Sequence, residues 1–165
     1  MEQVTPCKVM KGPDKPWVTP PHGWVKLSID GSFCAKTRNA GAGVVLRDAE
    51  GTPIFTACRF LDACQHQFEA ELRACVVGLE LALHHYQLPI IVESDCSQLV
   101  AAAQTSERDR SPFLHWITEI RSLISHHSEC VIVKAERSQV RASHFLANFA
   151  RVERQNICHM VRFWV

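Results

Sequence analysis

The stretch Val25-Lys26-Leu27-Ser28-Ile29-Asp30-Gly31-Ser32 decides how the chain is read. Val25, Leu27 and Ile29 alternate with Lys26, Ser28 and Asp30, the period-two pattern of a half-buried strand, and an acid stands at its end. Onward from it, Ala42 to Arg47 forms a second strand, Asp48-Ala49-Glu50-Gly51 supplies turn chemistry, and Pro53 to Phe60 returns as a third. These three predict an antiparallel meander. The period then changes, because Phe68, Leu72, Cys75, Val76, Leu79 and Leu83 recur at helical spacing until Leu88-Pro89 ends the run. Ile90-Ile91-Val92 has the continuous apolar character of a strand buried on both faces, and it delivers Glu93-Ser94-Asp95 at its carboxyl end.

A short Ala-rich helix follows, and Pro112 opens another whose stripe is Phe113, Trp116, Ile117, Ile120, Leu123 and Ile124. Cys130 to Val133 reads as a fifth strand, and Ser138 to about Arg154 as a final helix with Ala142, Phe145, Leu146 and Phe149 facing inward. The order β-β-β-α-β-α-α-β-α implies an α/β fold, a mixed five-stranded sheet with helices packed against it. The expected organisation is a proline-rich leader over 1–23, one domain over 24–154 and an apolar tail over 155–165. Ile157, Met160, Val161, Phe163 and Trp164 make that tail too apolar to be left in water. It either extends the last helix or folds back onto the sheet.

Length and composition narrow the function classes. The 165 residues suit one domain of ordinary size, and 47% hydrophobic content with a formal charge of +1 excludes a disordered chain. No apolar run approaches the ~20 residues needed to cross a bilayer, so no membrane role is expected. The start lacks a basic region followed by an apolar stretch, which places the eight cysteines in an intracellular, reducing compartment (nucleus or cytoplasm) without disulfides. None are spaced Cys-x-x-Cys, and Cys75 and Cys130 read as small core residues. A near-neutral chain cannot grip duplex DNA chiefly through its phosphates, so nucleic-acid contact is expected to be local, weak and salt-sensitive.

Asp30 and Asp95 both stand at strand ends, which deliver side chains to the rim where ligands of α/β folds bind. Glu71 lies in the first long helix, three residues after Phe68 and four before Cys75, placed to face the sheet edge. Three carboxylates brought together repel one another, and a hard, oxygen-seeking divalent cation is the usual remedy, with Mg²⁺ the natural choice. Singly, Asp30 and Asp95 also suit helix or turn caps, and Glu71 a surface position near Arg73. Their joint placement is what points to metal. His84-His85 and His126-His127 fall at helix ends, where a cation meets the helix dipole favourably, and Trp17, Trp24 and Trp164 serve packing or base stacking.

The runs Pro20-Pro21-His22-Gly23-Trp24-Val25-Lys26-Leu27-Ser28-Ile29-Asp30-Gly31-Ser32, Gly41-Ala42-Gly43-Val44-Val45-Leu46-Arg47-Asp48, Ala70-Glu71, Gly78-Leu79 and Ile91-Val92-Glu93-Ser94-Asp95 carry a resemblance. From about Trp17 to Arg154 the chain resembles the ribonuclease H-like domains that plants carry alongside, or derived from, non-LTR reverse transcriptases. The resemblance implies a ribonuclease H-like fold, with Asp30, Glu71 and Asp95 as the first three metal-binding acids. It implies a metal-dependent endonuclease that cleaves the RNA strand of an RNA–DNA hybrid, with hybrid or structured RNA as partner. The last helix departs from the family's Arg-x-x-Asn-x-x-Ala-Asp-x-Leu-Ala run, because Val140 replaces the Asn and His144 the fourth acid. An imidazole supplies no carboxylate charge and is a poor partner for Mg²⁺ but an acceptable one for Mn²⁺. It can also hydrogen-bond a metal-bound water or shuttle a proton, or it is simply a solvated residue beside Arg141 and Asn148. Two functions follow: a nuclease with catalytic set Asp30, Glu71, Asp95 and His144, or a catalytically silent domain that binds nucleic acid or a protein partner.

Overall fold

The computed structural model of the chain describes residues 13–108 and 110–161. Three strands, β1 (Val25–Phe33), β2 (Ala40–Arg47) and β3 (Pro53–Leu61), form the meander, followed by α1 (Gln67–His85), β4 (Ile90–Ser94), α2 (Ser97–Gln104), α3 (Leu114–His126), β5 (Cys130–Lys134), α4 (Arg141–Glu153) and β6 (Asn156–Met160). The sheet order is β5-β4-β1-β2-β3-β6, with β1–β4 and β4–β5 parallel and the other neighbours antiparallel.

The sheet therefore has six strands where five were expected. The extra one comes from the tail, which turns back at Arg154 in the left-handed conformation (φ 53°) and pairs Ile157 with Cys58 and Cys158 with Ala57. Folding back satisfies the backbone groups on the free edge of β3, which an extended last helix would leave unpaired. Phe163 and Trp164, also counted in that tail, and Cys7 lie outside the described residues. The described cysteines are all free thiols.

Alternation along β1 sends Leu27 and Ile29 to one face and Lys26, Ser28, Asp30 and Ser32 to the other. The first face packs on α1, where Gly78 sits close to Leu27, Ile29 and Val44, and this is where the main core lies. The second face carries α4. A Cβ on Gly43 would fall 1.8 Å from the Ser143 carbonyl oxygen and one on Gly41 2.1 Å from that of Ala147, so the helix backbone lies directly on β2. So close a contact admits only small residues between helix and sheet, and the buried residues of α4 are Ser143, Ala147 and Ala150. Of the residues expected to face inward, Phe145 does not, being 68% exposed, while Ala142, Leu146 and Phe149 are only half-buried.

Two boundaries also shift. Pro112 and Phe113 lie in a turn that precedes α3 rather than opening it, and the final helix is broken at Val140, with a 3-10 turn at Arg137–Gln139 before α4 begins. The described part of the leader lies along the sheet. Trp17 Nε1 donates to buried Glu93 at 2.6 Å, Lys26 Nζ donates to the Val18 carbonyl at 2.6 Å, and Lys26 and Arg47 lie over the Trp17 ring.

Candidate metal centre

Asp30 lies inside β1 rather than at its end, and the reason matters for the site. The parallel ladder between β1 and β4 stops at Ser28 opposite Glu93, while the antiparallel ladder to β2 continues to Phe33 opposite Ala40. Asp30 thus sits at the split where β4 has turned away towards α2, and Asp95, the residue just after β4, enters the gap. From the other side comes Glu71 on α1. Its approach depends on Gly31, where a Cβ would fall 2.4 Å from the Ala70 carbonyl carbon. Gly31 N–H donates to Glu71 Oε2 at 3.0 Å, and Gln67 Nε2 bridges Glu71 Oε1 at 2.8 Å and the Gly31 carbonyl at 2.7 Å.

The three predicted acids are brought together: one carboxylate oxygen from each of Asp30, Glu71 and Asp95 lies within 4.8 Å of the others. Asp30 is fully buried, and its Oδ1 has no hydrogen-bond partner. Burial, reinforced by the charge of Asp95 and opposed by Arg137, raises the Asp30 carboxyl to about 7. Burial and then the charge of Asp30 raise Glu71 to about 8, against the lowering hydrogen bonds from Gln67 and Gly31. An orphaned buried oxygen among carboxyls that resist ionisation is the electrostatic signature of a place for a cation. The donor set, three carboxylates, fits a hard divalent ion.

His144 reaches the same cluster from α4. Its Nδ1 lies 2.9 Å from Asp30 Oδ2, and Asn148 Nδ2 lies 3.0 Å from its Nε2. The amide orientation of Asn148 follows from Ser32, whose hydroxyl donates to Asn148 Oδ1 at 2.6 Å while accepting from Arg151 Nε at 2.8 Å. One tautomer serves all of these contacts: a neutral ring with its proton on Nδ1, donating to Asp30 and accepting from Asn148. Burial and then the Arg137 charge hold the His144 pKa below its ordinary value, with Asp95 opposing, in keeping with that neutral form. His144 is therefore tied into the cluster and is not the freely solvated helix residue.

The sequence reading passed over Arg137. Its Nη1 donates to Asp95 Oδ2 at 2.9 Å and stands 4.0 Å from the orphaned Asp30 Oδ1. Its Nη2 is 3.0 and 3.1 Å from the two ring nitrogens of His144, near-equal distances that place the guanidinium over the ring. Its position at the head of the Arg-x-x-Asn run was the signal available. Asn148, Ser32, Arg151 and Gln67 were missed for a plainer reason, since single polar residues on helices carry no pattern.

A mixed sheet opened beside Asp30, with acids converging from β1, α1 and the end of β4, defines the ribonuclease H-like class. Among solved structures it is similar to ribonuclease H1 from the halophilic archaeon Halobacterium salinarum, with a TM-score of 0.71 at 21% identity over 78% of this chain and 97% of that one. It is equally similar to a compost-derived ribonuclease H1 in complex with an RNA/DNA hybrid, with a TM-score of 0.70 at 20% identity over 79% and 98%. The sequence profile described as reverse transcriptase-like matches residues 28–150, and the chain belongs to that family. A relative from Arabidopsis thaliana, named "Putative ribonuclease H protein", is 28% identical over 81% of this chain, which spans only 22% of that relative's length.

Proposed function

We propose that this domain is a divalent-metal-dependent endonuclease acting on the RNA strand of RNA–DNA hybrids. The observation that carries the reading is the junction of Asp30, Glu71 and Asp95 with Asp30 Oδ1 left without a partner. A fold neighbour held in complex with an RNA/DNA hybrid and a relative named as a ribonuclease H protein support the choice of substrate.

When bound, divalent metal supplies a nucleophilic hydroxide and stabilises the leaving oxygen in phosphodiester hydrolysis. The chain's own residues do the positioning. Asp30, Glu71 and Asp95 would hold the ion, while Gln67 and Gly31 fix the Glu71 carboxylate and His144 steadies Asp30 through Oδ2. Gln98, Asn148 and Arg151 line the opening and offer donors to a phosphate backbone. With an imidazole in place of a fourth carboxylate, Mn²⁺ is expected to support cleavage better than Mg²⁺.

The test is cleavage of a labelled RNA–DNA hybrid in Mg²⁺ and in Mn²⁺, with Asp30→Asn as control. Metal-dependent cutting that Asp30→Asn abolishes is the expected result. A second reading, a silent domain that binds nucleic acid or a protein partner, is favoured by the Arg137 guanidinium and His144 imidazole drawn onto the acids. Absence of cutting in both metals, with weak and salt-sensitive hybrid binding retained, would select it.

A further inference from the structure

We propose that Arg137 is an internal stand-in for the metal: its guanidinium holds the acidic cluster in the metal-free protein and must swing out before an ion can load. This rests on the metal-site reading above and deepens it.

The position of the guanidinium is the first support. It makes a direct ion pair with Asp95, is the cation nearest to the partnerless oxygen of Asp30, and covers the His144 ring, so it touches three of the four residues converging on the site. Of the neighbouring cations, Arg141 pairs with Asp14, and Arg151 donates through Nε to Ser32; neither is paired with an acid of the cluster. A guanidinium does not give up its proton, so it is a permanent charge that a divalent ion has to displace from Asp95.

The second support is how the arm is mounted. Its backbone lies in the Arg137–Gln139 turn, closed by a capping box between Glu136 and Gln139 and tied to the leader, where Ser138 Oγ donates to the Lys15 carbonyl at 2.9 Å and Gln139 Nε2 to that of Pro16 at 3.1 Å. The side chain, by contrast, is 60% exposed. A pinned backbone with a solvent-facing side chain is a short hinged arm: it returns to one place and leaves it without unfolding anything. The buried ion pair of Lys26 with Glu93, on the same face of the sheet, has no such freedom.

The experiment is calorimetric titration of Mn²⁺ and Mg²⁺ into the full chain at matched ionic strength, for the unsubstituted protein, Arg137→Ala and Arg137→Lys, with the melting temperature followed in parallel. Removing a part-exposed competing ion pair should tighten metal binding by about two- to fivefold in Arg137→Ala. The lysine variant keeps the charge but cannot span Asp95 and the His144 ring together, so it too should bind metal more tightly than the unsubstituted protein. Arg137→Ala binding metal no more tightly than the unsubstituted protein overturns the stand-in while leaving the metal site intact. A lysine variant indistinguishable from the unsubstituted protein also overturns it, because the gain in alanine would then reflect charge at a distance and not occupancy. No binding in any of the three overturns the metal-site reading itself, and the stand-in with it.

Discussion

Nδ1 of His144 lies 2.9 Å from Oδ2 of Asp30, so the residue at the fourth position of the site is a donor to the first acid and not a further acceptor beside it. A carboxylate there would face Asp30 with like charge. The imidazole thus replaces repulsion with a hydrogen bond in the metal-free protein, and it would offer a bound metal one oxygen fewer than a carboxylate.

His144→Asp should therefore move two quantities in opposite directions. The metal-free protein should melt lower, because a second carboxylate would stand against buried Asp30. Mg²⁺-supported hybrid cleavage should rise about tenfold or more, within the ~10²–10³ that one electrostatic contact to a developing charge is worth. Efficient cleavage by the unsubstituted protein in Mg²⁺, with no gain in the variant, would show the imidazole competent as it stands.

Stability in the absence of metal should fall as pH rises. Asp30 moves from 3.8 to about 7 on folding and Glu71 from 4.5 to about 8, so across this interval the folded state binds more protons than the unfolded state. That makes the slope of unfolding free energy against pH negative; the stabilisation is complete below pH 4 and lost through pH 7–8. Burial sets most of its size; Asp95 adds to it, and Arg137 and the hydrogen bonds from Gln67 and Gly31 oppose it, while His144 faces the pair from α4. Melting temperatures from pH 5 to 8.5 in chelator should show the decline, and Asp30→Asn with Glu71→Gln should flatten it. Saturating metal should flatten it too, since it favours the ionised acids.

Gly43→Ala should detach the site from the fold. Its Cβ would lie 1.8 Å from the Ser143 carbonyl oxygen, a backbone atom that cannot turn aside. Overpacking costs about 1–3 kcal/mol or more, and α4 would have to lift from β2, withdrawing His144 from Asp30. Chemical denaturation should report the loss; an unchanged midpoint would mean that the helix accommodates the methyl by sliding.

Trp17→Phe tests whether the leader is part of the folded unit. Phenylalanine keeps a ring beneath Lys26 and Arg47 but removes the Nε1 donor to Glu93, a buried carboxylate whose other partners are Ser28 Oγ at 2.5 Å and Lys26 at 3.6 Å. Weakening the satisfaction of a buried charge should cost about 1–3 kcal/mol in unfolding free energy. A leader that served only as a linker would show no change.

The sequence by itself determined the periods and, from them, most of the elements: alternation from Val25 to Asp30 buries its apolar side chains as a strand, the spacing from Phe68 to Leu83 does so as a helix, and the short run Ile90 to Val92, bounded by Pro89, suits a buried strand that delivers Asp95. It also placed three acids on elements that a mixed sheet brings together, which is why the convergence of Asp30, Glu71 and Asp95 was legible in the sequence alone. The tertiary structure decided what depends on contact between distant segments. The inward face of α4 was not readable from the hydrophobicity of Phe145, because Gly41 and Gly43 on another element left room only for Ser143, Ala147 and Ala150. The sixth strand depended on a free edge of β3, the docking of Trp17 on a carboxylate 76 residues away, and the reach of Arg137 on a gap opened where β4 leaves β1. Local pattern records what a segment must bury; only the assembled fold supplies the partner it is buried against.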